Sequence, residues 1–232
     1  MSKLPIIISM PHGYVAIPPE ISDICKLTPA EIIKDGDEQT YEIYSKLAEN
    51  AQVVVEAKAA RAIIDMNRAE DDIRKDGVIK THTCWDVPIY SKQPDKQQIK
   101  NLIEKYHRPY HDALTKAAKQ NVKVGIDCHT MAEFGPPVGP DTGVKRPTIC
   151  LGNRNGETCP TEWLEEIADL FKQYFDDVQI NRPFSGGHII ASHYHEMPWI
   201  QLEYSRTLNV DVHLKAKVVK EVISEWVNGI FY

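Results

Sequence analysis

The chain has 232 residues and a formal net charge of −6, with 42% hydrophobic and 26% charged residues. These proportions are ordinary for a globular protein and suffice for one large α/β domain, so we expect a single domain over residues 1–232. The negative charge excludes the basic surface typical of nucleic-acid binding and argues against attraction to acidic membranes. No apolar run approaches the ~20 residues of a membrane span, so we expect no membrane partner.

The cysteine pattern and the N-terminal segment bear on the compartment. The chain has five cysteines and lacks a CxxC pair, which argues against a disulfide framework or a zinc ribbon. Free thiols fit a reducing cytoplasm, where we expect the protein to act. The opening MSKLPIIISMPHG has one lysine and a very short apolar run, so we interpret it as the entry to a first strand rather than a signal peptide.

Short β-branched segments alternate with amphipathic segments along most of the chain. Such segments predict strands at residues 5–10, 53–56, 62–65, 122–127, 148–151, 178–181, 188–194 and 199–204. Start signals predict helices from Thr28, from Pro94-Asp95, from Pro160 and from Asn209, and spaced tyrosines predict one more near residues 41–48. The alternation predicts a mostly parallel sheet covered on both faces.

Two segments depart from this alternation. Pro109 lies inside the pattern of the helix that starts at Pro94-Asp95 and should kink or break it. Residues 69–94 are polar and lack a clear period. That length is unusual for a structureless connection, so the segment is either a functional lid or an excursion with small elements of its own.

Several predicted strands stop at polar residues. The strand at 5–10 leads to His12, the one at 62–65 to Asn67 and Arg68, the one at 122–127 to His129, and the last to Glu203. If these strands are parallel neighbours, their carboxyl ends meet at one edge of the sheet, where ligands bind in open α/β folds.

Histidines, acids and arginines in one crevice are the residue types that zinc-dependent hydrolysis requires. A catalytic zinc takes three protein ligands, often two histidines and one carboxylate, and keeps a position open for water. A carboxylate outside the metal shell removes the proton of that water, and an arginine grips a substrate carboxylate through two parallel hydrogen bonds. His12, His129, one acid, Glu203 and Arg68 could supply these roles.

A family resemblance rests on seven motifs in order, which are PIIISMPHGYVAIPPE, AIIDMNR, YHRPYH, VGIDCHT, PTICLGN, INRPFSGG and IQLEYSR. In this combination, from residue 5 to about 206, the chain resembles the N-formylglutamate amidohydrolase family. The resemblance implies a three-layer α/β/α fold with a mostly parallel mixed sheet, similar to the zinc carboxypeptidases and aspartoacylases. It implies a Zn²⁺-dependent hydrolase that cleaves the amide bond of a small acylated amino acid such as N-formylglutamate.

The resemblance also implies ligands for the metal. His12 and His129 match the two histidine ligands, and the acidic ligand lies between them in the chain. We favour Asp37 over Asp35, with Glu20 third.

The resemblance assigns further roles around the metal. Glu203 matches the general base, while Asn67 and Arg68 match a pair that holds the substrate carboxylate. Arg61 would lie at the carbonyl oxygen of the scissile amide. Two more residues are expected to contact the substrate, namely Arg206 and His188.

Other histidines offer rival sites. His107 and His111 lie four residues apart on a predicted helix, a spacing that can bind metal, but Pro109 between them and the absence of a helical glutamate make this a poor zinc pair. His193 and His195 would share one face of a predicted strand. We rank both pairs below His12 and His129.

Alternative functions remain open from the sequence. A carboxypeptidase-like enzyme or a cell-wall-type amidase would use the same residues on a peptide. A non-enzymatic anion binder would keep the fold but is expected to lack one of His12, His129 and Glu203, and all three are present. The oligomeric state is not predicted.

Overall fold

A central six-stranded sheet organises the chain in the computed structural model, which describes residues 3–207 and 209–232. The strand order is β2-β1-β3-β6-β4-β5, and all neighbouring pairs are parallel except β6 and β4, which are antiparallel. The strands are β1 (Leu4–Met10), β2 (Ala51–Glu56), β3 (Val124–Met131), β4 (Ile149–Gly152), β5 (Val178–Ile180) and β6 (Trp199–Ser205).

Helices lie on both faces of the sheet. They are α1 (Pro29–Asp35), α2 (Thr40–Ala48), α3 (Lys96–Leu102), α4 (Arg108–Ala118), α5 (Thr161–Lys172), α6 (His188–His193) and α7 (Val212–Phe231). One apolar core joins the sheet to α2, α5 and α7, and a second joins its other face to α4, α6 and the loop after β2. The predicted three-layer α/β/α architecture with a mostly parallel mixed sheet is therefore confirmed.

Local sequence signals explain where several helices begin. Thr28 caps α1 with a reciprocal capping box to Glu31, as the sequence indicated. Asp95 does the same for α3 through Gln98. The last helix is capped by Asp211 and not by the predicted Asn209, because the Asp211 carboxylate accepts from the first free backbone N–H groups.

Two predicted strands are wrong. Residues 62–65 form a turn, with one isolated bridge from Ile64 to Ile79. The segment predicted as a strand at 188–194 is instead the short helix α6, which starts at His188. Both segments are short, buried and apolar, and periodicity alone does not distinguish a strand from a buried helix or turn over such a length.

Pro109 does not break its helix. The chain stays helical from α3 through a π-helical segment, Ile103–His107, into α4. A proline removes a backbone donor and crowds the carbonyl four residues earlier, and the wider π turn accommodates that mismatch.

Residues 69–94 make short local contacts instead of regular elements. Isolated bridges join Cys25 to Tyr90 and His82 to Pro88. Lys80 and Ile89 are buried, so the segment packs as part of the body of the protein. Across the residues that the structure describes, none of the helices is both long and apolar enough to traverse a bilayer.

Candidate metal centre and substrate cavity

A cavity of about 350 Å³ opens at the carboxyl edge of the three central parallel strands. It brings together residues from the loop after β1, the loop after β2, the end of β3 and the end of β6. Among its lining residues are eight that the sequence singled out, namely His12, Asp37, Arg61, Asn67, Arg68, His129, Glu203 and Arg206. The predicted meeting is present for the ends of β1, β3 and β6. Asn67 and Arg68 reach the cavity from the turn that replaces the predicted strand at 62–65.

Three donor atoms converge in the depth of this cavity. His129 Nδ1 lies 3.1 Å from His12 Nδ1 and 3.0 Å from Asp37 Oδ2. His12 Nδ1 lies 3.4 Å from the same carboxylate oxygen. All three side chains are buried, and their ligand atoms lie within 4.8 Å of one another.

Each histidine is fixed by a carboxylate on its other ring nitrogen. His12 Nε2 donates to Asp65 Oδ1 at 2.7 Å, and His129 Nε2 donates to Asp127 Oδ2 at 2.8 Å. These bonds assign one N–H to Nε2 in each ring, so both Nδ1 atoms face the Asp37 oxygen, where a proton or a metal ion can lie between them. Carboxylate–histidine pairs of this kind are the usual outer shell of metal-binding histidines.

This donor set fits a zinc ion. Two imidazole lone pairs and a carboxylate oxygen are electron-rich and repel one another unless a cation lies between them. Two histidines and one carboxylate with an open fourth position are a common catalytic zinc set. Because all three side chains are buried, water has little access to neutralise their electron-rich atoms.

The electrostatics of the centre are dominated by its acids. Burial by itself raises the pKa of Asp37, but His12 and His129 lower it well below its ordinary range. Burial also raises the pKa of Asp65, which His12 and Arg61 lower in the same way. Burial lowers the pKa of His129, yet Asp127 and Glu203 outweigh it and raise that pKa well above its usual value. The centre therefore holds its carboxylates ionised and attracts positive charge.

Glu203 lies beside His129, because the two residues are register partners on the parallel strands β3 and β6. Gln201 Nε2 donates to Glu203 Oε1 at 3.0 Å and orients the carboxyl group. Burial, with a contribution from Asp37, raises the pKa of Glu203 above its ordinary value, although His129 and His12 oppose that shift. A carboxyl group with a raised pKa next to the candidate metal centre is suited to taking up and releasing a proton.

Arginines line the mouth of the cavity. Arg61 donates through Nε to Asp65 Oδ2 at 3.2 Å and through Nη1 to the Asp35 carbonyl at 2.9 Å. Arg68 Nη2 donates to Asp76 Oδ2 at 2.9 Å, and Arg206 Nη1 donates to the Gly36 carbonyl at 2.7 Å. Each guanidinium keeps further N–H groups, so a bound anion could be shared among them.

Asn67 connects the centre to α6. Its backbone N–H donates to Asp65 Oδ1, and its side-chain Oδ1 accepts from the backbone N–H of Ile189, both at 2.8 Å. Its Nδ2 lies 3.3 Å from His129 Nε2. The Asn67 side chain is therefore held by the protein at the wall of the cavity.

Other candidates lie elsewhere. Asp35 is buried in an ion pair with Lys80, whose Nζ lies 2.7 Å from Asp35 Oδ2. Glu20 is paired with Lys105 on the surface of the π-helical segment. His188 is not among the lining residues of the cavity and instead packs near His107 and His111, with ring centroids 6.3 Å and 5.3 Å away.

The rival pair His193 and His195 does not share a strand face, because His193 lies on α6 and His195 in the turn after it. His193 belongs with His107, His111 and His188 in a second group of histidines. No rival pair lies at the centre formed by His12 and His129.

Four residues of the site were not assigned a role from the sequence. Asp65 and Asp127 orient the histidines, Gln201 orients Glu203, and Arg146 lines the cavity while paired to Asp141 at 2.7 Å. Asp127 was detectable, since it lies two residues before His129 on a strand and so shares its face. Arg146 lies in an irregular loop, where no periodicity points to the cavity.

Comparison with known proteins gives a consistent result. The sequence profile described as N-formylglutamate amidohydrolase matches residues 4–210. An N-formylglutamate deformylase of Pseudomonas putida is 25% identical over 224 residues, which cover 88% of this chain and 81% of the relative. One of Pseudomonas aeruginosa is 23% identical over 228 residues, or 90% of this chain and 83% of the relative.

Solved structures share the fold. An N-formylglutamate amidohydrolase of Ralstonia eutropha JMP134 superposes with a TM-score of 0.77 at 20% identity and covers 99% of this chain and 93% of its own. A gene product of Agrobacterium tumefaciens gives 0.76 at 14% identity, with coverages of 99% and 91%.

Fold and site together define an α/β protein with a candidate metal centre at the carboxyl edge of its sheet. Since the family profile spans most of the sequence, the chain belongs to the N-formylglutamate amidohydrolase family.

Proposed function

We propose that the protein is a zinc-dependent amidohydrolase that removes the formyl group from N-formylglutamate, giving formate and glutamate. The observation that carries the proposal is the convergence of His12 Nδ1, His129 Nδ1 and Asp37 Oδ2 next to Glu203. The names of the two Pseudomonas relatives support the substrate. The five unpaired cysteines support a reducing cytoplasm as its location.

His12, His129 and Asp37 would hold the ion, with Asp65 and Asp127 orienting the two imidazoles. When bound, zinc supplies a Lewis acid that polarises the amide carbonyl and lowers the pKa of water toward ~7. Asp37 is held for this role by the backbone N–H of Thr130, which donates to Asp37 Oδ2 at 3.1 Å.

Glu203 acts as general base and then as general acid. It takes a proton from the attacking water, and after attack on the formyl carbon it delivers that proton to the nitrogen as the C–N bond breaks. A pKa above that of an ordinary glutamate favours the return of the proton to the leaving nitrogen. Arg61 is tied to Asp65 through Nε, and its remaining N–H groups would stabilise the carbonyl oxygen as negative charge develops there.

The substrate class follows from the charges at the mouth of the cavity. N-formylglutamate carries two carboxylates, and Arg68, Arg146 and Arg206 line the same cavity. A planar guanidinium matches a carboxylate through two parallel hydrogen bonds. Asn67 and Arg68 would hold the α-carboxylate, which sets the formyl group over the metal centre.

The test combines metal analysis with a substrate panel. The purified protein should contain about one zinc at this centre, and His129→Ala should lose it. N-formylglutamate should be hydrolysed faster than N-acetylglutamate and than short peptides with a C-terminal glutamate. Preferred cleavage of the peptides would favour the carboxypeptidase or amidase alternative, and no hydrolysis of any substrate by the zinc-loaded protein would favour the anion binder.

A further inference from the structure

A second group of histidines lies behind the cavity wall and has no part in the proposed reaction. His107 ends the π-helical segment, His111 follows one turn later on α4, and His188 begins α6. One ring nitrogen from each of the three lies within 4.8 Å of the others. His193, also on α6, stacks on His111 with ring centroids 5.2 Å apart.

Backbone carbonyls set the orientation of two of these rings. His107 Nε2 donates to the Arg68 carbonyl at 2.8 Å, and His111 Nε2 donates to the Met66 carbonyl at 3.0 Å. A carbonyl only accepts, so both rings carry their proton on Nε2 and expose a lone pair on Nδ1. Donation of the other N–H to a backbone carbonyl is a usual arrangement for a metal-binding histidine.

The fourth histidine completes a chain of contacts. His111 Nδ1 lies 2.9 Å from His193 Nε2, and His193 Nδ1 lies 3.1 Å from Glu196 Oε2. Two ring nitrogens at that separation need a proton or a cation between them. The Nδ1–H of His193 can donate to the Glu196 carboxylate. When a metal ion takes the place of the proton, the lone pair of His193 Nε2 can therefore bind that ion.

The surroundings lower the pKa of three of the imidazoles, which favours their neutral form. Burial, together with mutual repulsion among the rings, lowers the pKa of His111 to about 3. Burial also lowers the pKa of His107 and of His188. Neutral imidazoles retain the lone pairs that a metal ion requires, whereas protonated ones would repel it.

We propose that His107, His111 and His188 form a second metal site, for a divalent first-row transition ion such as Zn²⁺. A set built from imidazoles alone suits zinc, copper or nickel and disfavours the oxygen-seeking Ca²⁺ and Mg²⁺. His193, whose Nε2 lies 2.9 Å from His111 Nδ1, supplies a fourth nitrogen.

The site is placed to stiffen the wall of the cavity. Two of its histidines bond to the carbonyls of Met66 and Arg68, which flank Asn67 in the chain. The third begins the helix whose Ile189 N–H bonds to the Asn67 side chain. An ion here therefore ties α4 and α6 to the turn that carries Asn67 and Arg68, whether or not the proposed reaction is correct.

The experiment measures zinc uptake in variants that separate the two sites. His129→Ala removes the ligand at the cavity, and His188→Ala removes the partly exposed ligand at the second site with little expected effect on folding. By equilibrium dialysis against buffered Zn²⁺ with elemental analysis, we expect two ions in the wild type and one in each single variant. The double variant should hold none. The exposed His213→Ala is the matched control and should hold two.

The affinity gives a second readout. His129→Ala should retain zinc at the second site. Adding His188→Ala should weaken the binding of that zinc by more than the roughly 10–100-fold that losing an outer-shell partner costs. His12→Ala serves in place of His129→Ala if that variant does not fold. The proposal is overturned if folded His129→Ala takes up no zinc, or if the double variant takes up as much as His129→Ala. If the wild type binds one zinc and His129→Ala still binds it, only the first centre is contradicted.

Discussion

The proposed role of Glu203 as proton carrier depends on its burial. Its raised pKa arises from burial at the end of β6, and Gln201 donates to its Oε1 atom at 3.0 Å. In Glu203→Gln a carbonyl oxygen can still accept that bond, so fold and metal should be kept while the proton carrier is lost. We expect kcat to fall by about 10²–10⁴-fold with unchanged zinc content.

The pH profile provides a check on the same residue. The acidic limb of kcat/KM should report the raised pKa of Glu203 in the wild type and should disappear from the residual activity of the variant. Exposed Glu162→Gln on α5 is the control and should behave as wild type. If Glu203→Gln lost its zinc, Glu203 would be a metal ligand and not the base.

Arg68 tests how the substrate is held. Its Nη2 pairs with Asp76 at 2.9 Å and its Nε lies 4.0 Å from Asp65, yet 31% of its side chain is exposed and it lines the cavity. A lysine cannot reproduce two parallel hydrogen bonds to a carboxylate. Arg68→Lys should therefore lower kcat/KM sharply for acyl amino acids with a free α-carboxylate, and much less for the corresponding amides.

The control for Arg68 is its ion-pair partner. Asp76→Asn removes the pairing on a half-buried surface and should leave the preference for acids intact. Zinc content and melting temperature should not change in Arg68→Lys. An equal loss on acids and amides with a lower melting temperature would mean that Arg68 is structural and that Arg146 or Arg206 binds the carboxylate.

At the scale of the elements, the contact between β3 and β6 sets the geometry of the centre. Gly125 on β3 pairs with Trp199 on β6, and a Cβ atom on Gly125 would overlap the buried indole ring. The same register places His129 beside Glu203. Gly125→Ala should destabilise the protein by about 1–3 kcal/mol, since overpacking forces the strands apart.

A matched glycine gives the opposite expectation. Gly229 lies in α7, and a Cβ atom there would meet no atom within 4 Å beyond the backbone of its own helix and its chain neighbours. Gly229→Ala should stabilise the helix by up to about 1 kcal/mol. Urea unfolding measures both, and the activity of Gly125→Ala should fall with its stability. Unchanged stability in Gly125→Ala would mean that the strands adjust without disturbing the register.

The elements also show what the sequence could and could not predict. β1, β3 and β6 were predictable, because each is a buried apolar run that leads to a polar residue. The turn at 62–65 was not, since its buried residues are held by one bridge and by contacts with residues distant in sequence. The convergence of Asp37 with His12 depends on a hydrogen bond from Asp37 N to the His12 carbonyl, which no local pattern encodes.

For the whole molecule, the buried pair of Lys80 and Asp35 joins the segment at 69–94 to α1 below the cavity. Both side chains are almost without solvent contact, and Asp35 also accepts from the backbone N–H of Cys84 at 2.6 Å. Burial opposes ionisation of Asp35, but Lys80 and Arg61 lower the pKa of its carboxyl group. Because the pKa of Asp35 is lower in the folded protein than in the unfolded chain, the ionised carboxylate contributes to stability at neutral pH.

Removing Lys80 should expose this dependence. Lys80→Met leaves a buried carboxylate without its main partner and should lower the free energy of unfolding by roughly 3–5 kcal/mol at pH 7. In the wild type, a lowered pKa contributes stability above the unfolded value of about 3.9, and that stability is lost as the pH falls through the folded value. In the variant, protonation of Asp35 removes the unpaired charge, so the difference in free energy of unfolding between the two proteins should shrink as the pH approaches about 4.

Urea unfolding at pH 7, 5.5 and about 4 measures that trend. The control is Lys75→Met, which removes an exposed pair with Asp86 and should change the free energy of unfolding little at any pH. A difference that is constant with pH would show that Lys80 acts through the packing of its aliphatic chain and not through its charge.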